Sequence, residues 1–417
     1  MDGYALRTSP SKGIHDELYA RALYVEHGNE AISMVVLDLL YITQDLLVRI
    51  KRAVKEVLGI PMERVIVSAT HTHSGPSIAG FHSVMRHIDY SWYMDALPWL
   101  AATAIAEASR RASKAFMRSA TGSLPGWAVN RRRPLKGPID PTVHLAVFED
   151  LEGKVLGSIA SYSAHPVVLG HTNLLYSADY PGWVVRTLET ILGGVSLFIT
   201  GSCGDVNPLT PGTSLERIYD RSSGTFEEAE EMGRAIAFEG LRAIQGARPS
   251  NSESLAYSSS KAYIDLRIPS SIEALSVEEA RRALEEVVER RDHREIIKAW
   301  FTLKSIETAE ALRKLYPSGI AEAEISGVRI GDLAIVAIPG EVFARTGIKI
   351  KEISSLANTI VAGYSNGGLG YLPPDEAFDE GGYETEFPVC FVSRGTEEKI
   401  LKASENVLRE LGVLKPQ

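Results

Sequence analysis

The chain has 417 residues and a formal net charge of −9, with 45% apolar and 23% charged residues. That apolar content excludes intrinsic disorder, and 35 Gly and 20 Pro without a period exclude collagen-like and low-complexity classes. The acidic balance argues against a general nucleic-acid binder, which needs a basic face.

Leu18 to Val25 and Ile32 to Leu37 are short and apolar, as strands are. Thr43 to Leu58 carries Leu46, Leu47, Ile50, Val54 and Leu58 at a helical period, and Gly59-Ile60-Pro61 stops it. Arg64 to Thr70 is a β-branched strand. Tyr90 to Lys114 reads as helix, with Pro98 as a kink or start. Strands recur at Ala115–Thr121, Val143–Glu149, Val155–Ser163 and Val195–Thr200. Thr225 and Glu228 form a capping box for a helix that ends near Gly246. Ser276 to Arg290 and Arg294 to Tyr316 are polar helices, expected as a surface insertion. Ile325–Val328 and Leu333–Ile338 make a hairpin through Gly331-Asp332. Ile360 to Ala362 is a short strand and Thr396 to Leu411 a closing helix. The alternation predicts an α/β fold: one large domain with a mixed β-sheet core flanked by helices, and a helical insertion at about 270–318.

No stretch reaches the ~18 uninterrupted apolar residues of a membrane span. The best, Ala31 to Ile42, is broken by Asp38. Two cysteines, Cys203 and Cys390, make no disulfide framework, and Met1-Asp2-Gly3-Tyr4 is not a secretion signal. A cytoplasmic location is expected.

The informative segment is Val65 to Pro76, which runs from a strand through Thr70-His71-Thr72-His73 into Ser74-Gly75-Pro76. Residues two apart on a strand face one side, so two imidazoles project together. They suit metal binding and acid–base work equally. Other strand ends carry His165-Pro166, then His171 and Asp179; Asp205 after Gly204; and Glu341 after Pro339-Gly340. Sites in open α/β sheets collect at strand ends, and one metal site accounts for most of these residues together. His82, His87, His144 and His293 are read as surface or packing residues. Cys203 lacks a base partner and is read as packing. The glycines around it lack the lysine-serine/threonine ending of a P-loop.

These segments together resemble the neutral (non-lysosomal) ceramidase superfamily, zinc amidases that cleave the N-acyl bond of ceramide. The resemblance runs in order through Gly13-Ile14-His15, Ala20-Arg21-Ala22, Ser68 to Pro76, Asn130-Arg131, His165-Pro166, Gly204-Asp205-Val206, Pro339-Gly340-Glu341, Ser365-Asn366, Tyr371 and Tyr383. It implies one zinc per chain, held by His71, His165, Glu341 and Tyr371. It implies that His73, Arg131 and Tyr383 face the scissile amide and stabilise the oxyanion. Asp205 and Asp179 are candidates for orienting the ligating histidines, with Asp38 a weaker one.

Three departures stand out. Asn207 occupies the place of a family serine considered a nucleophile, which points to a metal-activated water. The family's C-terminal sandwich domain and its secretion signal are not expected in this chain. The expected activity is therefore zinc-dependent hydrolysis of an amide or related C–N bond in a small, soluble substrate, with long-chain ceramide a poor one. The alternatives are a non-catalytic metal-binding or assembly protein, and a metal-dependent ester or phosphoester hydrolase. Arg131 to Arg133 would suit the anionic group of a phosphoester, although charge runs are commonly solvated.

Overall fold

The computed structural model describes residues 1–78, 91–270, 272 and 276–416; His82 and His87 lie outside them. The fold is mixed α/β. The expected mixed sheet is divided among several sheets, of which three carry most of the strands. In the first, Glu30–Leu37 lies between Ala20–His27, antiparallel, and Val65–Ala69, parallel. In the second, Val195–Thr200 pairs parallel with Val155–Tyr162, which continues antiparallel to Thr142–Asp150 and Ala115–Ser123. In the third, Leu255–Asp265, Ile320–Ile330 and Leu333–Ala337 form a meander, and Asn358–Ala362 adds parallel to it.

These three sheets turn apolar faces toward one shared core. Met34 and Ile66, Ile159 and Ile199, and Ile335 and Ile360 meet there, one pair from each sheet. Helices cover the outer faces. Gln44–Leu58, Ser91–Arg110, Asp179–Leu192 and Phe226–Ile244 pack on the first two sheets, and Val277–Arg290, His293–Leu315 and Thr396–Glu410 on the third.

Local chemistry explains the helix boundaries. The Thr43 hydroxyl accepts from the Leu46 N–H, and Gly59, at φ 70°, ends that helix in the left-handed conformation. Thr225 and Glu228 form the expected reciprocal box. Pro98 lies inside its helix and does not start it. The insertion also differs from a loose surface feature. Leu284, Trp300 and Leu303 are buried in the core of the third sheet, so the two helices are anchored by an apolar face.

The parallel pairings matter most for the site. They bring the carboxyl ends of the Val155–Tyr162 and Val195–Thr200 strands side by side, and likewise those of Leu333–Ala337 and Asn358–Ala362. Hydrogen bonds then join the three sheets at those ends. The Thr200 hydroxyl donates to the Thr70 carbonyl at 2.6 Å, and the Gly363 N–H to the Thr200 carbonyl at 3.2 Å. Ser68 and Ser365 hydroxyls bond at 2.8 Å. The loops bearing His71, His165 and Glu341 leave from this junction.

Candidate metal centre

His71 follows a fully buried strand and sits at φ 65°, a left-handed conformation costing a non-glycine residue ~1–2 kcal/mol. Two contacts hold it there. Its Nδ1–H donates to the Leu40 carbonyl at 2.6 Å, and its ring stacks on Tyr364 at 3.8 Å between centroids. His73 donates from Nδ1 to the Gly3 carbonyl at 3.0 Å. His165 donates from Nδ1 to the Cys203 carbonyl at 2.6 Å, in the loop after the neighbouring parallel strand. Gly3 has to be glycine, because at φ 113° a Cβ there would stand 2.7 Å from His73 Nδ1.

With each Nδ1–H committed to a main-chain carbonyl, each Nε2 presents a lone pair. These lone pairs converge. The candidate ligand atoms of His71, His73 and His165 lie within 4.8 Å of one another. His73 Nε2 is 3.2 Å from His71 Nε2, and Glu341 Oε2 is 3.2 Å from His165 Nε2 and 3.5 Å from His71 Nε2. Protonating Nε2 would make a buried imidazolium. Burial opposes this, pushing His71 down to about 3 and His165 well below its usual range. Neutral imidazoles and a carboxylate facing one another across a few ångströms are a donor set for a cation, and this group can hold a metal ion.

Glu341 is placed by a short parallel pairing that sets it opposite Tyr371. The Tyr371 hydroxyl accepts from Arg131 Nη2 at 2.8 Å, and its ring stacks beside His165. Tyr383 meets Tyr371 edge-on, with centroids 5.7 Å apart. Arg131 reaches the site through the antiparallel pairing of Ala128–Asn130 with Val206–Pro208. All three nitrogens of its guanidinium donate hydrogen bonds. Nε donates to Glu384 at 2.6 Å, Nη1 to Asn207 at 3.2 Å, and Nη2 to the Gly204 carbonyl and the Tyr371 hydroxyl. Arg131 therefore holds Tyr371. Arg132 is tied to Glu384, and Arg133 to Glu380.

The three aspartates serve main-chain amides. Asp205 accepts from the Ala344 N–H at 2.8 Å and from Asn130 at 2.6 Å, which clamps the Arg131 loop to the helix after Glu341. Asp179 accepts from Leu169 and Tyr180 N–H groups, and Asp38 from Tyr19 N–H. Burial raises both Asp38 and Asp179 to about 6. Carbonyls of Leu40, Gly3 and Cys203 orient the histidines, the part expected of carboxylates.

Asn207 spends its side chain on Arg131 and the Ile218 carbonyl. Cys203 is buried against the Tyr364 hydroxyl, and burial pushes its thiol well up. His144 is buried and bonded to Asn358 and Lys351, so it is a core residue. Tyr364, Glu384 and Gly3 were not among the candidates. Only Tyr364 had a signal, its place directly before Ser365-Asn366.

Residues 1–230 match the family described as neutral/alkaline non-lysosomal ceramidase, N-terminal. Neutral ceramidase A of Dictyostelium discoideum is 26% identical over 244 residues, covering 51% of this chain and 34% of that protein. The neutral ceramidase of Pseudomonas aeruginosa is 27% identical over 259 residues, covering 56% and 38%. These alignments thus span little more than a third of either relative. The Mycobacterium tuberculosis neutral ceramidase aligns more widely, 22% identical over 92% of this chain and 70% of its own. The crystal structure of the Pseudomonas aeruginosa neutral ceramidase superimposes with a TM-score of 0.73 at 19% identity, covering 100% of this chain and 72% of that one. The sequence match over residues 1–230 shows that the chain belongs to the neutral/alkaline non-lysosomal ceramidase family.

Proposed function

We propose that the chain is a zinc-dependent hydrolase that cleaves an amide, N-acyl bond with water, residues 1–417 acting as one catalytic domain. The observation that carries this reading is the convergence of imidazole Nε2 atoms and the Glu341 carboxylate, with each Nδ1–H fixed on a carbonyl. Nitrogen and carboxylate donors in this proportion suit catalytic zinc. His71, His165 and Glu341 would hold the ion, with Tyr371 as the fourth ligand. A bound zinc ion supplies a water of pKa about 7 and a positive charge beside a carbonyl oxygen.

The chain's own residues do the rest. His73 Nε2, with Nδ1–H fixed on Gly3, accepts the proton of the attacking water and returns it to the leaving nitrogen. The Tyr383 hydroxyl donates to the carbonyl oxygen as charge develops there. Arg131 positions Tyr371. An anionic ester substrate is disfavoured, because Arg132 and Arg133 are already paired with Glu384 and Glu380. The relatives' names make ceramide the reference N-acyl substrate. Two buried free thiols accord with a cytoplasmic location.

The test is hydrolysis of short-chain N-acyl amides and detergent-dispersed ceramide, before and after chelation. Activity on one of them, lost with the metal and restored by zinc, is expected. Activity indifferent to chelation, or none with zinc bound, would overturn the reading.

A further inference from the structure

We propose that a second ligand site lies at the end of the fold opposite the metal cluster, and that it holds a small zwitterion of the α-amino acid type. A cavity of about 280 Å³ lies there between Ala115–Ser123, the edge strand of the second sheet, and the segment leading into Asn358–Ala362 of the third. Asn358 is the first residue of its strand, and the other end of that strand reaches the junction from which the metal-site loops leave. The length of that strand, ~16 Å at ~3.3 Å per residue, separates the two sites.

Asn358, 5% exposed, is the buried member of the lining. A chain of hydrogen bonds fixes its orientation. Lysine only donates. Lys351 Nζ donates to Asp140 at 2.5 Å and to His144 Nε2 at 2.8 Å, so the His144 Nδ1–H donates to Asn358 Oδ1 at 2.6 Å. The amino group is then the free half of the amide, and Nδ2 is buried with no hydrogen-bond partner among the described residues. A buried donor left unmet destabilises the fold and calls for an explanation. An acceptor held in the cavity supplies one. Ser119 and Thr121, two apart on the edge strand, share the face that carries His144, because Thr121 is paired directly with it.

The rest of the lining says what that ligand is. Arg248 and Asp332 both line the cavity and are exposed, and among the described residues neither forms an ion pair. A carboxylate accepts from a guanidinium on two N–H groups, and Asp332 accepts from an ammonium group. The hydroxyls of Ser119, Thr121 and Ser355 take either role. An anion alone leaves Asp332 unanswered, a cation alone leaves Arg248 unanswered, and a hydrocarbon covers all of these groups without pairing them. A molecule bearing both charges a few ångströms apart satisfies the lining. The volume falls below the ~300–1,000 Å³ of pockets for drug-sized ligands and suits a free amino acid rather than a peptide.

Calorimetric titration with serine, an amino acid with a hydroxyl of its own, tests this without turnover. The proteins are the zinc-loaded wild type, Arg248→Gln and Asp332→Asn, both substitutions at exposed positions away from the metal cluster. Acetate, methylamine and glycerol are the comparison ligands, with one charge or none. Serine should bind the wild type, and each substitution should weaken it by about tenfold or more, the effect of losing a hydrogen bond to a charged group. Acetate and methylamine should bind at least about tenfold more weakly than serine, and chelation should leave serine affinity unchanged. No saturable serine binding, or the same affinity in all three proteins, would overturn the proposal. Glycerol bound as tightly as serine would make this a polyol site and refute the zwitterion. Serine binding lost on chelation would place serine on the zinc and remove the second site.

Discussion

Replacing Arg131 by Met should cost the fold ~3 kcal/mol. The guanidinium and its partner are almost wholly removed from water, with 6% of the Arg131 side chain exposed and none of Glu384. Breaking such a pair by deleting one member costs ~3–5 kcal/mol, mostly from the charge left behind. The lower end applies here, because Glu384 keeps Arg132 at 2.8 Å and the Tyr219 hydroxyl at 2.9 Å. The Gly204 carbonyl and the Tyr371 oxygen each lose a donor, while the Met side chain fills the volume of the arginine stem. Adding Glu384→Gln removes the stranded charge, so the double variant should be more stable than the sum of the two losses predicts, by ~1–3 kcal/mol. Urea denaturation of the four metal-free proteins measures both quantities. An Arg131→Met loss under ~1 kcal/mol, or simple additivity, would refute the buried clamp.

Gly3→Ala should cut turnover more than about tenfold with zinc retained, since the new methyl collides with the ring of His73, the proposed proton carrier; unchanged kcat would contradict that role. His71→Ala and Glu341→Ala should lose zinc readily, while His73→Ala keeps zinc and loses turnover; equal zinc loss in His71→Ala and His73→Ala would make His73 a ligand. His144→Gln should flatten the dependence of stability on pH. Burial, then the Lys351 charge, lowers this histidine from 6.5 to about 3. In that window the unfolded chain binds a proton that the folded chain does not. The contribution is thus fully present above 6.5 and lost on acidification, at ~1.4 kcal/mol per pH unit. Denaturation midpoints across the window should diverge by that slope, and parallel curves would contradict it.

The parts of this site that could be seen in sequence are those carried by side-chain identity at strand ends. A β-branched run ending in His-x-His, a strand ending in His165-Pro166, and Glu341 after a strand and Pro339-Gly340 each announce themselves, and the three sheets bring them to one junction. What orients the histidines could not be read that way. The acceptors are carbonyls of Leu40, Gly3 and Cys203, and a carbonyl has no sequence signature. Asp205, Asp179 and Asp38 stood at persuasive positions, yet they satisfy main-chain amides of loops and of a helix start that folding would otherwise leave buried and unpaired. Glu384 gave no signal because its partner, Arg131, is 253 residues away. The Leu255–Asp265 strand escaped notice, its serine-rich stretch resembling a loop. The insertion looked like pure surface because its polar residues outnumber the few, Trp300 and Leu303 among them, that bury it.

We propose that His71, His165 and Glu341, with Tyr371 as fourth ligand, hold one zinc ion. Titration of zinc into chelated protein, followed by calorimetry and elemental analysis after dialysis, tests it directly. One tightly retained zinc per chain is expected, with retention strongly reduced in His165→Ala and in Glu341→Ala. Zinc that dialyses away from the wild type, or that stays bound equally well in both variants, would contradict it.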